Sequence, residues 1–200
     1  MTTHWTSAKL MRRTSLTCLL LGLLAVGCRE RGSKSNQRSE AVAASASAGP
    51  SLFGRDALLP LLSALRDKAG ADPSLLRLEV AGDQALVQVE APGRLGQLVQ
   101  YQWRAGTLSA PVPIELRGKG NLSQNLFPLS ALDLSNLPAL VDAAVARIDG
   151  EQGKASRVLV RRNLPQDDSV GIRVYVESPL RSSHVDADAR GKLLEPGKYP

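Results

Sequence analysis

The sequence predicts an α+β fold in which helices pack on one face of an antiparallel sheet. Two segments carry apolar residues at helical spacing, and six others alternate apolar and polar residues with the period of two typical of half-buried strands. The order along the chain is a helix followed by three strands, twice. Because each helix and the sheet have one apolar face, we expect the two layers to share one core.

The first helix is predicted from Asp56 to Ala69. Asp56 is a suitable N-cap residue, Gly70 follows the end, and Pro60 is tolerated only within the first turn. The apolar residues at helical spacing are Leu58, Leu61, Leu62 and Leu65.

Three strands are predicted next, separated by turns, the tightest at Gly82-Asp83 and Ala105-Gly106. The residues expected to face the core are Leu76, Leu78 and Val80, then Val87 and Val89, then Val99, Tyr101 and Trp103. Tyr101 and Trp103 share the parity of Val99, so we interpret them as core and not as a platform for ligand stacking. A fourth strand, about Thr107 to Arg117, contains Pro111 and Pro113 and is expected at a sheet edge.

The same pattern starts again after a connection rich in Gly and Asn at residues 118–125. Ser135 or Asn136 is expected to cap a second helix that Gly150 ends. Its apolar stripe is Leu137, Leu140, Val141, Ala144, Val145 and Ile148. The later strands are predicted at Ser156 to Arg162, Val170 to Glu177 and about Ser182 to Asp188, before a turn at Arg190-Gly191. Residues expected to face inward are Val158, Val160, Ile172, Val174 and Val176.

These elements predict two α-β-β-β units, about residues 52–117 and 130–200. The second unit is offset from the first by about 80 to 85 residues, and the units resemble each other in architecture more than in sequence.

The first thirty residues have the pattern of an export signal. Arg12 and Arg13 precede an almost wholly apolar run, Leu16 to Gly27, and charged residues follow it directly. A transmembrane helix needs about 20 apolar residues, so this run is too short to span a bilayer comfortably. We predict a signal peptide over residues 1–27, with Met11 as an alternative start.

The run closes on Leu24-Ala25-Val26-Gly27-Cys28, which resembles the lipobox of bacterial lipoproteins. The resemblance implies that the Cys28 thiol is diacylated and anchors the protein to a membrane. It also implies sorting by the next residue. An Asp directly after the cysteine typically retains such proteins in the inner membrane, and this chain has Arg29 at that position. The resemblance therefore favours the outer membrane, with the protein facing the periplasm. The alternative is an ordinary cleaved signal with an incidental cysteine.

Residues 28–51 are predicted to be a flexible tether, and residues 52–200 a folded domain. The tether is rich in Ser, Ala and charge, and it buries too little apolar surface to order itself. Cys18 leaves with the signal and Cys28 carries the lipid, so we expect no disulfide. Stability must then come from a core, for which one domain of about 145 residues is large enough.

The net charge of +6 is concentrated near the proposed anchor. The first 55 residues hold eight basic and two acidic side chains, which leaves 17 of each sign in residues 56–200. A formally neutral domain argues against a nucleic-acid partner. The basic stretch after Cys28 is interpreted either as lying near anionic headgroups or simply as part of a soluble tether.

Two segments near the C-terminus carry a second resemblance. Val174-Tyr175-Val176-Glu177 and Val185 to Leu194 resemble the closing strand, hairpin and turn of PepSY-like modules, which run α-β-β-β. The resemblance covers residues 137–194, and Arg104 to Leu108 stands at the same turn of the first unit. It implies an exported binding or inhibitory module that binds another molecule and does not catalyse a reaction.

The region around His184 offers the only histidine of the mature chain. Ser182, Ser183 and Asp186 lie beside it, but neighbours on one short strand rarely converge as a catalytic triad requires. We therefore expect a solvated histidine and no catalytic site.

The acidic residues do not form a convincing metal site. Asp186-x-Asp188-x-Arg190-Gly191 resembles the opening of a calcium loop, but Arg190 stands where an oxygen ligand is needed. One histidine and no free cysteine cannot supply a tetrahedral zinc site. Asp167-Asp168 is interpreted as a loop. We expect no metal or cofactor.

The outward positions of the second set of strands are the candidate partner-binding residues. They are Arg157, Arg161, Arg173, Tyr175 and Glu177. Arg and Tyr are enriched at interaction surfaces, although a solvated sheet face is the more common explanation of such a pattern. The leading hypothesis is a non-enzymatic, lipid-anchored periplasmic module that binds another envelope protein or peptide. The alternatives are an envelope hydrolase or small-ligand carrier that uses His184, and a structural lipoprotein of the envelope.

Overall fold

Most of the structure is an antiparallel sheet. The structure is a computed structural model and describes residues 49–116, 120–148 and 152–195. Nine strands lie within these residues: Ser74–Ala81 (β1), Gln84–Glu90 (β2), Leu98–Arg104 (β3), Thr107–Leu108 (β4), Val112–Ile114 (β5), Phe127–Pro128 (β6), Lys154–Arg162 (β7), Val170–Glu177 (β8) and Ser182–Asp188 (β9). The α+β class predicted from the sequence is confirmed.

The strand order shows how the two halves of the chain meet. The sheet runs β4-β3-β2-β1-β7-β8-β9, while β5 pairs with β3 and β6 pairs with the start of β1. Every pairing is antiparallel. Strands β1 and β7 are therefore the junction, with Leu78 opposite Val160 and Glu79 opposite Leu159.

Three α-helices lie within the described residues: Leu59–Ala69 (α1), Leu122–Asn125 (α2) and Leu137–Val145 (α3). Helix α1 buries Leu61, Leu65 and Ala69, and α3 buries Leu137, Leu140 and Ala144. These six residues belong to one core with the inward residues of the strands, among them Val87 and Val174. Both α1 and α3 thus pack on the same face of the sheet.

Helix α1 starts later than the sequence predicts. Leu58 is the N-cap residue, and Asp56 adopts a left-handed φ of 59° outside the helix, so the prediction of Asp56 as the cap is wrong. Pro60 explains the difference, because proline fits only the first turn and the structure places it there.

A bulge in β1 changes which leucine faces the core. The pairing with β2 shifts between Leu75 and Arg77, so Leu75 is fully buried and Leu76 is only half-buried. The prediction of Leu76 as inward is therefore wrong, because an extra residue in a strand reverses the alternation before it. Beyond the bulge, Leu78 and Val80 are buried as predicted.

The later strands follow their predicted bounds closely. Strands β8 and β9 match them, β7 starts two residues earlier than predicted, and all five predicted inward residues of β7 and β8 are buried. Two details differ. Helix α3 ends at Val145, and Asn121 caps the short α2, which was expected to be irregular connection.

The predicted edge strand is split in two. Strands β4 and β5 both pair with β3, on either side of Pro111. The turn before β4 has positive φ at both Ala105 and Gly106, a conformation that joins strands through two residues. Tyr101 and Trp103 of β3 are buried in the core, as predicted.

Some predictions fall on residues that the structure does not describe. The signal peptide, Cys28, most of the tether and Gly150 lie outside the described residues. Within the described residues, no helix has the length and apolar character needed to cross a membrane.

The loop before β1 is attached to the connection between the two halves. The carboxylate of Asp72 accepts hydrogen bonds from the Ser130 hydroxyl at 2.7 Å and from its backbone N–H at 2.8 Å. These bonds favour the charged form and hold the pKa of Asp72 below its ordinary value of 3.8.

Ser130→Ala is expected to raise the pKa of Asp72 towards its ordinary value. A lowered folded-state pKa contributes stability above the unfolded-state pKa, and this contribution is lost as the pH falls through the folded-state value. The variant should therefore lose less stability than the native protein as the pH falls from 5 to below 3.8. The chemical shift of the Asp72 carboxyl carbon, followed across this pH range, would measure its pKa. Urea unfolding across the same range would measure the stability. Equal titration of Asp72 in the two proteins would contradict the expectation.

Candidate interaction surface on the helix-free face of the sheet

The sheet has a second face that α1 and α3 do not touch, and we call it the open face. It carries the strand residues whose parity is opposite to that of the core. Those used below include Arg77 and Glu79 of β1, Arg157, Leu159 and Arg161 of β7, Arg173, Tyr175 and Glu177 of β8, and His184 and Asp186 of β9. Apart from Leu159, all of these side chains are polar or aromatic.

A row of paired residues crosses four strands of the open face. Asp186 lies opposite Arg173, Arg173 opposite Leu159, and Leu159 opposite Glu79. The guanidinium of Arg173 donates from Nε to Asp186 Oδ1 at 2.6 Å and from Nη2 to Oδ2 at 3.1 Å. Such a two-point ion pair fixes the plane of the guanidinium as well as its position.

The neighbouring row holds an aromatic ring between an arginine and a histidine. Tyr175 pairs with Arg157 on one side and with His184 on the other. The guanidinium carbon of Arg157 lies 4.2 Å from the centre of the Tyr175 ring, and that of Arg173 lies 6.0 Å away. Both distances allow cation–π attraction, which contributes about 0.5–1 kcal/mol at exposed sites. The guanidinium of Arg157 therefore lies over the ring of Tyr175.

Glu79 connects the two halves of the chain on this face. It accepts a hydrogen bond from Arg77 on its own strand, and Arg157 Nη1 lies 3.6 Å from its Oε1. Leu159 lies beneath these side chains with only 6% of its surface exposed. The aliphatic parts of long charged side chains can cover such a residue while their charged ends remain in water.

The five predicted partner-binding residues all lie on the open face, but not in one place. Arg157, Arg173 and Tyr175 form the cluster just described. Arg161 is four residues from Arg157 along β7, or about 13 Å at the usual rise of a strand. Glu177 is exposed at the far end of β8. The structure therefore brings three of the five together.

Glu79 and Asp186 belong to the cluster although the sequence pattern did not single them out. Asp186 has the same outward parity as Tyr175 and pairs through a short hairpin, so the alternation contained a signal for it. Glu79 could not be found in this way, because nothing in the sequence indicates that β1 pairs with β7.

His184 lies on the open face with about half of its side chain exposed. Its Nε2 is 3.7 Å from Asp186 Oδ2, and its ring centre is 6.0 Å from that of Tyr175. Ser183 points to the opposite side of the strand, as alternation requires. The histidine, the carboxylate and this serine therefore do not converge.

The carboxylates of the C-terminal loops bind neighbouring protein groups. Asp188 Oδ1 accepts hydrogen bonds from the backbone N–H groups of Arg190 at 2.9 Å and Lys192 at 3.0 Å. Asp167 accepts from Asn163 Nδ2 at 3.0 Å and from the backbone N–H of Ser169 at 2.8 Å. In residues 49–116, 120–148 and 152–195, no three His, Cys, Asp or Glu side chains come together in a group suited to a metal ion.

Among the cavities lined by described residues, three shallow ones open along the sheet. One of about 240 Å³ lies beside Glu79, Leu86 and Trp103, and one of about 220 Å³ is lined by arginines that include Arg77 and Arg161. The third, of about 470 Å³, lies beside β5. His184 lines none of these three.

Comparison with known proteins found no match. No protein-family model, curated protein or solved structure matches this chain.

Proposed function

We propose that the protein is a non-enzymatic binding module of the bacterial envelope, anchored by a lipid on Cys28 and facing the periplasm from the outer membrane. Its open face contacts another envelope protein or a peptide. The observation that carries the proposal is the cluster of Arg157, Arg173 and Tyr175 on the sheet face opposite to α1 and α3. Tyr and Arg are the residues most enriched among those that dominate binding energy at interfaces.

The cluster is held in shape before any partner arrives. Asp186 fixes Arg173 through two hydrogen bonds, and the ring of Tyr175 supports Arg157. Ordering a long side chain on binding costs about 0.5–1.5 kcal/mol, and side chains that are already ordered avoid most of that cost. A partner would therefore meet a rigid, aromatic and cationic surface.

The order of helices and strands supports the resemblance of the sequence to α-β-β-β modules. Helix α1 precedes β1, β2 and β3, and α3 precedes β7, β8 and β9, with the two first strands adjacent in the sheet. Each first strand also has a register shift near its start, between Leu75 and Arg77 in β1 and between Ala155 and Arg157 in β7. We propose on this basis that the domain consists of two such units joined edge to edge.

The anchor and tether would set where the open face operates. A flexible segment of roughly 25 residues has a reach of about 25 to 30 Å, enough to hold the domain clear of the bilayer. The hydrolase alternative would need a substrate cavity that reaches the imidazole of His184.

Site-specific crosslinking in intact cells would test the proposal. The photoreactive residue p-benzoylphenylalanine, placed at Tyr175, keeps an aromatic ring at the centre of the cluster. We expect it to capture a specific envelope protein or peptide. The same residue placed at Ser63, exposed on α1 at the opposite face, serves as the matched control.

Arg173→Glu supplies the second arm of this experiment. The substitution reverses one charge beside Tyr175 and should reduce the crosslinked product about tenfold, since like charges across an interface are costly. If position 175 gave no more product than position 63, or if Arg173→Glu left the product unchanged, the proposed interface would be wrong.

A further inference from the structure

Three arginines line one cavity at an end of the sheet, away from the Tyr175 cluster. Arg77 of β1 lies directly opposite Arg161 of β7, and Arg162 follows in sequence. All three line the cavity of about 220 Å³, together with the amide side chains of Gln88 and Asn125 and the apolar Leu76 and Leu164. We call this cavity the arginine pocket.

The positive charge in the arginine pocket is only partly balanced within the described residues. No carboxylate is among the lining residues. Arg161 is exposed, and its side chain forms no hydrogen bond or ion pair with the described part of the chain. Among the described residues, Glu79 is the one carboxylate that binds Arg77, and it also faces Arg157. Like charges directly opposite each other on paired strands oppose folding, so the arrangement needs another explanation.

Two features leave the pocket ready to receive an anion. Arg162 is held by backbone carbonyl oxygens, with Nε donating to Leu126 at 2.8 Å and Nη1 donating to Asp168, which positions the guanidinium without neutralising it. The Nε of Arg77 is buried and has no hydrogen-bond partner among the described residues. A buried donor without a partner is costly, and an acceptor from outside would remove that cost.

The amide groups and the volume narrow the choice of ligand. Gln88 donates to Gln100 at 3.1 Å and Asn125 donates to the carbonyl of Asn121 at 3.0 Å, and each amide nitrogen retains a second N–H. A volume of about 220 Å³ is below the roughly 300–1,000 Å³ of ordinary small-molecule sites, but it is large enough for one side chain. Guanidinium groups match the oxygens of carboxylates and of phosphates in geometry, and of these two groups the carboxylate is the one that the side chains of an unmodified peptide supply.

We propose that the arginine pocket binds an acidic side chain, Asp or Glu, of a peptide segment that lies across the open face. This proposal rests on the proposed binding function and adds the chemistry of the partner. The segment would place its carboxylate between Arg77 and Arg161 and extend along the sheet towards Tyr175.

Nuclear magnetic resonance of the arginine side chains would test the proposal directly. The Nε–H groups of Arg77, Arg161 and Arg162 are followed while a hexaglutamate peptide is added to the purified protein, with hexaglutamine as the uncharged control. We expect the glutamate peptide to shift the resonances of Arg77 and Arg161, and hexaglutamine to leave them unchanged. Binding should weaken as salt rises, because the groups at the mouth of the pocket are exposed.

Substitutions make the test specific to the pocket. Arg161→Gln should weaken hexaglutamate binding about tenfold, the usual loss for one charged hydrogen-bonding group. Arg104→Gln removes the same charge from the open face outside the pocket and should leave the affinity unchanged. Arg161 is exposed, so its replacement should not affect folding, and unchanged thermal unfolding would verify this.

Other anions provide the outcomes that would overturn the proposal. Inorganic phosphate and vesicles containing phosphatidylglycerol are added in separate titrations. If either shifted the Arg77 and Arg161 resonances while hexaglutamate did not, the site would be for phosphate or for a lipid surface. Equal effects of Arg161→Gln and Arg104→Gln would also overturn the proposal, because the binding would then reflect general charge.

The crosslinking experiment separates this inference from the proposed function. If position 175 captures a partner and Arg161→Gln leaves that capture unchanged, the open face is an interface but the arginine pocket is not part of it. If position 175 captures nothing while hexaglutamate binds at the pocket, the proposed interface fails and the anion site stands.

Discussion

Leu65→Ala is expected to lower the free energy of unfolding by about 2–5 kcal/mol. The side chain of Leu65 is 0% exposed and lies in the core that α1 shares with the sheet. Truncation removes buried methyl groups and leaves a cavity that close-packed neighbours fill only in part. Because a domain is typically stable by only about 5–15 kcal/mol, this single change would remove a large share of the total.

Leu59 in the same helix is the matched control. Its side chain is 56% exposed at the first position of α1, so Leu59→Ala removes the same atoms from a site in contact with water. We expect a change within about 0.5 kcal/mol. Urea unfolding of both variants, followed by circular dichroism, would measure the difference. Similar losses in the two variants would mean that α1 does not pack on the sheet through the face that contains Leu65.

The contrast between these two leucines also shows what sequence pattern can predict. Helical spacing placed Leu61 and Leu65 on one buried face, and alternation placed Val158, Val160 and Val174 in the core. Such periodicities are local, because each follows from the geometry of a single helix or strand. They are therefore readable without knowing which elements pair.

Predictions that depended on departures from regular geometry were wrong. The bulge in β1 placed Leu75 in the core instead of Leu76, and nothing in a run of leucines indicates where an extra residue is accommodated. Asp56 has the residue type of a good cap, but the constraint from Pro60 determined where the helix begins. A cap and a bulge each depend on how the chain enters an element, which periodicity does not describe.

The candidate surface was predictable only within each half of the chain. Tyr175, Arg173 and Asp186 lie on strands joined by a short hairpin, so their proximity follows from alternation and register. Glu79 and Arg77 reach the same face from β1, which lies about 80 residues earlier in the chain and pairs with β7. The arginine pocket therefore exists only because two distant strands are neighbours, and composition could not reveal it.

Charge distribution on the open face relates the two proposed contacts to each other. Asp186 and Glu79 bind the cations of the Tyr175 cluster, whereas among the described residues only Arg77 of the three pocket arginines is paired with a carboxylate, that of Glu79. The first contact, at the Tyr175 cluster, would thus depend mainly on packing against an ordered aromatic surface. The second contact, at the arginine pocket, would depend mainly on charge. Salt should weaken the second more than the first, since exposed charges are screened strongly.

Cys28→Ser is expected to abolish covalent lipid attachment and to release nearly all of the protein from membranes. Each methylene buried in a bilayer contributes about 0.8 kcal/mol; one acyl chain alone binds only marginally, whereas two or more hold a protein stably. The basic residues after position 28 contribute at most about 1 kcal/mol each near an anionic surface, which cannot replace the acyl chains at physiological salt. Labelling of cells with radioactive palmitate, followed by membrane sedimentation, would measure both losses.

Cys18→Ser is the matched control for this experiment, because it changes the other cysteine of the chain in the same way. Cys18 lies within the predicted signal peptide, ten residues before the lipobox cysteine, so its replacement should leave both the label and the sedimentation unchanged. Label that persisted in Cys28→Ser would remove the basis for the anchor. Lipid attachment at Cys28 requires the thiol of Cys28 and not that of Cys18. If the label were lost in Cys18→Ser as well, the loss would therefore point to a general failure of export.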